Sequence, residues 1–115
     1  MATEFDYAQL DAITGGDAEF EKEVLEEYLL SAPNDVAKLK NALGANDSAA
    51  VGATAHALKG ASATIGAKGF AAIALELEQA GKKADLSAAP EAFSRLEAAF
   101  ADLTVLLRER IAKAA

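Results

Sequence analysis

At 115 residues the chain has room for one hydrophobic core, and its 52% hydrophobic content owes much to alanine, with aromatics only 6%. A net charge of -7 and a pI near 4.6 argue against a nucleic-acid surface, whose expected footprint is basic. The lack of cysteine excludes disulfides and thiolate chemistry, and no stretch approaches the roughly 20 apolar residues of a membrane span. Strong helix formers dominate and β-branched residues are sparse, so the expectation is an all-α domain with closely spaced helices. Met1-Ala2-Thr3-Glu4 has neither a basic start nor an apolar run, so it does not read as a signal peptide, and a cytoplasmic protein is expected.

Six helical segments are expected. Phe5 to Ile13 forms a short leading helix closed by Gly15-Gly16. Asp17 caps the next, with Glu19 and Glu21 in the first turn where the helix dipole favours anions. Its apolar face reads Phe20, Val24, Leu25, Tyr28 and Leu29. Pro33 should break or kink that run, leaving Val36, Leu39 and Leu43 on a following helix that ends at Gly44. Asn46 or Asp47 caps a long segment that reaches Gly66. The next helix turns Phe70, Ile73 and Leu77 inward and stops at Gly81. After Ser87 and Pro90 the last helix carries Phe93, Leu96, Phe100, Leu103 and Leu107 at spacings of three and four, which is a bundle seam. Short connections favour antiparallel neighbours. The expected architecture is therefore an antiparallel up-down four-helix bundle with additional N-terminal helical segments. One domain over 1–115 is expected, with an N-terminal cap of about 1–31 and the bundle at about 33–113. No repeat, linker or low-complexity tract interrupts it, which favours a free-standing module over a fragment of a kinase.

The segment before Gly66 carries the only histidine, His56. Val51, Ala55, Leu58, Ser62 and Ile65 alternate at spacings of four and three and should form the buried stripe. His56 follows Ala55 and is rotated about 100° from the stripe, which sets it at the shoulder, partly packed and partly open. Gly52 and Gly60 stand four residues either side of it, on the same face. Each glycine costs about 1 kcal/mol relative to alanine in a helix, so some gain should offset it. Small residues one turn above and below would let a large group approach the imidazole. Lys59, three residues on, places a cation beside it. A bare imidazole next to an ammonium suits an incoming anion.

The run Ala55-His56-Ala57-Leu58-Lys59-Gly60-Ala61-Ser62, followed by Ile65-Gly66-Ala67, resembles the signature of histidine-containing phosphotransfer (HPt) domains. Leu75-Glu76-Leu77-Glu78-Gln79-Ala80-Gly81-Lys82 resembles the family's next bundle helix, and Thr14-Gly15-Gly16-Asp17 with Tyr28-Leu29-Leu30-Ser31-Ala32-Pro33 resembles its leading segment. The resemblance implies a phosphorelay intermediate that carries a phosphoryl group on His56. The partners it implies are response-regulator receiver domains and a hybrid or sensor histidine kinase. Lys59 would then pair with the phosphoryl oxygens, and Gly60 would keep steric access open. Glu78 or Gln79 would fix the imidazole tautomer from the neighbouring helix, and Lys82 or Lys68 would add positive potential. Docking would use Ala53, Ala57 and Ala63 beside Lys59 and Gly60. Two positions depart from the pattern: Gly52, where a larger residue is common, and Ala61, where serine is frequent.

The residues also say what is missing. There is no glycine-rich phosphate loop, no strand pattern for a nucleotide fold and no acidic cluster like a receiver's Mg²⁺ site. No cofactor or metal is therefore expected on this chain. Mg²⁺ is expected on the partner receiver, and the chain should be a phosphocarrier without autokinase activity. A monomer is the simpler expectation, because the apolar seams can close within one chain. A helical adaptor that never carries phosphate is the alternative; it would keep its activity in His56→Gln. A haem or metal bundle finds too few ligands, with one histidine, no cysteine and only Met1.

Overall fold

The computed structural model describes residues 4–114; the reading of Met1 to Thr3 lies outside the described residues. Five helices and no strand are present among them: α1 (Tyr7–Thr14), α2 (Ala18–Gly44), α3 (Ser48–Thr64), α4 (Lys68–Lys82) and α5 (Ala89–Ala114). Three aspartates start helices as acceptors for otherwise orphaned backbone N–H groups. Asp6 accepts from Gln9 N, Asp17 from Glu19 N and Phe20 N, and Asp47 from Ala50 N. Asp47, not Asn46, is thus the cap of α3; Asn46 instead takes the left-handed turn before it, at φ 55°. Pro90 sits in the first turn of α5, where its missing N–H costs nothing.

Helices α2, α3, α4 and α5 close a ring in which each packs against the next and α5 returns to α2, while α1 lies against α2 and α3. The α3–α4 pair is packed most intimately. The molecule measures 42 × 21 × 19 Å, its long dimension matching the roughly 40 Å expected of the 27-residue α2. Leu25, Leu39, Val51, Leu58, Phe70, Leu77, Leu96 and Leu107 are almost fully buried at its centre. The expected α3 stripe of Val51, Ala55, Leu58, Ser62 and Ile65 is buried throughout. Ser62 is accommodated there because its hydroxyl meets the Tyr28 hydroxyl at 2.6 Å, linking α3 to α2. Burial pushes the Tyr28 phenol up to about 12.

Three expectations need correction. Pro33 does not break α2, which runs unbroken from Ala18 to Gly44 and so joins the expected cap to the bundle. Pro33 is exposed, so the hydrogen bond it removes is lost on the solvent face, while buried Ala32 and Leu39 anchor the helix on either side. Gly81 does not end α4: it is buried inside the helix, and the left-handed residue beyond the end is Ala84, at φ 53°. Phe20 is 46% exposed, and its neighbour Glu21 is the buried residue, held by Arg110 Nε at 2.8 Å from α5. The inward face of α2 near its start is therefore one residue displaced from the expected one.

The N-terminal segment is strapped across the α3–α4 turn. Asp6 N donates to Gly66 O at 2.7 Å, and Gly69 N donates to Glu4 O at 3.0 Å. Gly66 has φ 97°, and a Cβ there would overlap the Asp6 carbonyl oxygen, so only glycine fits. The strap fixes the far end of α4.

Candidate functional site

At the opposite end of α4 the helix crosses α3 with almost no side chains between them. A Cβ on Gly81 would overlap the Gly52 nitrogen and lie 2.6 Å from its Cα and 2.7 Å from the Ser48 carbonyl oxygen. This close approach brings Glu78, one turn earlier on α4, under the ring of His56. Glu78 is 1% exposed, while the His56 side chain is 66% exposed, so the imidazole stands further out than a half-packed shoulder position.

The carboxylate gathers three groups. His56 Nδ1 lies 2.9 Å from Oε2, Lys82 Nζ 2.8 Å from the same oxygen, and Lys59 Nζ 2.7 Å from Oε1. Among the described residues, Lys59 is the only charged group paired with Oε1, an oxygen buried from solvent. Lys59 and then Lys82, with a smaller contribution from His56, outweigh desolvation and hold the Glu78 carboxyl down at about 2. Glu78 is thus an anion near neutral pH and can only accept hydrogen bonds. A neutral His56 ring must then carry its hydrogen on Nδ1, which leaves the lone pair on Nε2, the nitrogen not engaged by Glu78. The arrangement is an oriented nucleophile with two ammonium groups on the carboxylate that orients it.

The model of the Hpt domain family matches residues 23–105. The chain belongs to the Hpt domain family. The crystal structure of histidine-containing phosphotransfer protein B (HptB) from Pseudomonas aeruginosa PAO1 is similar over 98% of both chains, with a TM-score of 0.91 at 26% identity. No curated protein sequence matches the chain. Family and structural likeness together support a histidine phosphotransfer role in phosphorelays.

The Hpt fold assembles part of the expected site and separates the rest. His56, Lys59, Glu78 and Lys82 converge. Gln79 is exposed and makes no side-chain hydrogen bond, so Glu78 is the residue that reaches the ring. Lys68 lies ten residues before Glu78, about 15 Å along α4, and is engaged at 2.9 Å by Asp6 of the strap. Its charge belongs to the cap and not to His56. Ala53, Ala57, Gly60 and Ala63 are all exposed around the ring, and a Cβ on Gly60 would meet nothing within 4 Å. Gly52, by contrast, is buried in the helix crossing, where a Cβ would meet Gly81 and Lys82 backbone atoms at ordinary contact distance.

Beside the ring lies an open depression of about 450 Å³, lined by Ser48, Ala49, Gly52, Ala53, His56, Gly81 and Lys82. Sequence reasoning misses Ser48, Ala49 and Gly81 as site residues. For Gly81 a sequence signal exists: a second glycine on the partner helix, opposite an otherwise unexplained Gly52. For Ser48 and Ala49 there is none. No helix among the described residues is long and apolar enough to cross a membrane.

Proposed function

We propose that His56 is the phosphoacceptor of a phosphorelay, taking a phosphoryl group from, and passing it to, the aspartate of response-regulator receiver domains. A hybrid or sensor histidine kinase is a further source of the group. The observation that carries this reading is the His56–Glu78 pair: a buried carboxylate holds Nδ1, and the ring beyond it is open to solvent. Nε2 is then a directed, accessible nucleophile.

Lys59 and Lys82 supply positive charge for a group that brings about -1.5 to -2 units. As flexible point charges they can follow the phosphoryl oxygens once these arrive. The receiver supplies Mg²⁺ and the aspartate, so this chain is a carrier without autokinase activity, acting in the cytoplasm as a monomer. The exposed small residues Ala53, Ala57, Gly60 and Ala63 allow the receiver to approach, and the contact is modest and transient.

The test is to incubate the protein with a phosphorylated receiver and Mg²⁺ and assay acid-labile, base-stable phosphate, with His56→Gln as control. Label on the wild type that disappears in the variant is expected. Absence of label across a broad panel of receivers and histidine kinases would overturn the proposal in favour of an adaptor that carries no phosphate.

A further inference from the structure

Glu78 is buried more deeply than fixing a tautomer requires, and it is an anion where the incoming cargo is also an anion. Placed beside the reacting ring, that charge has a consequence for the proton on Nδ1. We infer that Glu78 keeps this proton on His56 throughout phosphoryl transfer, so that the ring accepts, carries and releases its cargo without exchanging a proton with solvent. The inference rests on His56 being the phosphoacceptor.

In the accepting step the Nε2 lone pair forms the bond to phosphorus as the bond from phosphorus to the donor aspartate's oxygen breaks, its electron pair returning to that carboxylate. The ring now bears a positive charge and still holds hydrogen on Nδ1. In free solution that proton becomes acidic enough to leave, giving a neutral phosphorylated imidazole. Here Oε2 lies 2.9 Å away, on a side chain 2% exposed, so an anion opposes the loss of the proton where water would otherwise accept it. In the onward step an acceptor carboxylate oxygen attacks phosphorus. The N–P bond breaks, its electrons return to Nε2, and the leaving group is neutral imidazole with hydrogen already on Nδ1. A ring that had lost the proton would have to leave as an imidazolide anion, or first recover one.

The lysines adjust the strength of this hold. Before transfer Lys59 Nζ is 2.7 Å from Oε1 and Lys82 Nζ 2.8 Å from Oε2, the oxygen that also faces His56. Both therefore spend part of the carboxylate's charge. Once the phosphoryl group is on Nε2 it competes for the same two cations, and each lysine that turns to it leaves more of the Glu78 charge to the ring. The groups facing this cluster are Lys59 from α3 and Glu78 and Lys82 from α4. Among the described residues no side chain of α1, α2 or α5 makes an ion pair or hydrogen bond with them.

The test uses the full chain phosphorylated with phosphoramidate, a small donor that needs no partner. Titration followed by phosphorus NMR gives the ring pKa of phosphorylated His56 in the folded wild type, in the wild type unfolded by urea, and in Glu78→Gln. Gln can still accept from Nδ1 but carries no charge. The folded wild type is expected at least about one unit, a tenfold gain in proton affinity, above its urea-unfolded form. Most of that gain should be missing in Glu78→Gln, whose transfer to a receiver then slows with rising pH over a range where the wild type is flat. Equal values in folded and unfolded wild type, or in Glu78→Gln and wild type, overturn the inference. If Glu78→Gln does not fold, the comparison of folded with unfolded wild type decides alone. If the wild type takes no label on His56 from phosphoramidate or any receiver, the failure lies in the phosphoacceptor reading instead.

Discussion

Gly81 and Gly60 flank the same site and have opposite surroundings. Gly81 is buried where α4 crosses α3, and the space its missing side chain leaves is filled by the Gly52 backbone. Gly60 lies one turn beyond His56 on the exposed surface, and a side chain there would meet nothing within 4 Å of its Cβ. One glycine lets two helices of this chain meet closely enough for Glu78 to reach His56. The other meets no such partner among the described residues of the chain, and the proposed docking of a receiver would give it one. A helical glycine thus has two possible beneficiaries, and burial of its partner surface tells them apart.

The comparison breaks most visibly at Gly81. In Gly81→Ala the added methyl collides with backbone atoms, which cannot rotate aside, so α3 and α4 must separate. Overpacking of this kind should cost about 3 kcal/mol, the upper part of the usual range, and lower the melting temperature by roughly 10 °C or more. Gly52→Ala is the matched control. Its methyl would rest 3.6 Å from Gly81 C and from Lys82 N, an ordinary contact, so the variant should be neutral or gain up to about 1 kcal/mol in helix propensity. Thermal denaturation of the two variants side by side checks the asymmetry. Equal destabilisation would show that the crossing is not held by Gly81 in the way described.

A smaller effect is expected on the buried side of α3. Ser62→Ala leaves the Tyr28 hydroxyl without its 2.6 Å partner in a position where water does not reach, a loss of about 1–2 kcal/mol. Chemical denaturation should show a lower midpoint with an unchanged slope. Phosphotransfer by the folded protein should be untouched, because Ser62 faces the core and His56 faces away from it.

The carboxylate beneath the site adds a pH dependence. Glu78 has its folded value depressed to about 2 from a usual 4.5, so its stabilising contribution is complete above pH 4.5 and is lost as pH falls towards 2. Asp6, Glu21, Glu76 and Asp85 are also held below their ordinary values, so the whole protein weakens in acid. The part due to Glu78 is isolated by difference. The gap in melting temperature between wild type and Glu78→Gln should narrow as pH drops from 5 towards 2. A gap that stays constant would mean the charge of Glu78 does not stabilise the fold.

Much of this arrangement was legible in the sequence, and the reasons are local. The α3 stripe follows from helical periodicity alone, and the same periodicity places His56 next to it and Lys59 one turn on. What was not legible depends on what another helix brings. Pro33 reads as a break because its cost is intrinsic, but Ala32 and Leu39 are buried on either side and the helix continues across it. Gly81 reads as a stop because a terminal glycine and a crossing glycine look alike until Gly52 is placed opposite. Phe20 and Glu21 exchange roles only because Arg110, 89 residues later, reaches back to Glu21. Lys68 loses its place near His56 to Asp6, a pairing made by the strap over Gly66.

The smallest effect on the fold is expected at Gly60, where the effect belongs to transfer. Gly60→Gln adds a side chain that points into open space on an exposed face, and glutamine favours helix over glycine by most of 1 kcal/mol. The variant should be as stable as the wild type or slightly more so, with His56, Glu78 and the two lysines undisturbed. Small donors such as phosphoramidate should still label His56 at the normal rate. Transfer between His56 and a receiver domain should fall at least ~10-fold, equivalent to about 1.4 kcal/mol lost from the transition state, because the receiver must cover the ring from the side that the added side chain occupies. A variant that labels normally from phosphoramidate and also exchanges normally with the receiver would place the docking surface elsewhere. Unlike Gly81, Gly60 would then have lost the only reason for its presence that lies outside the chain.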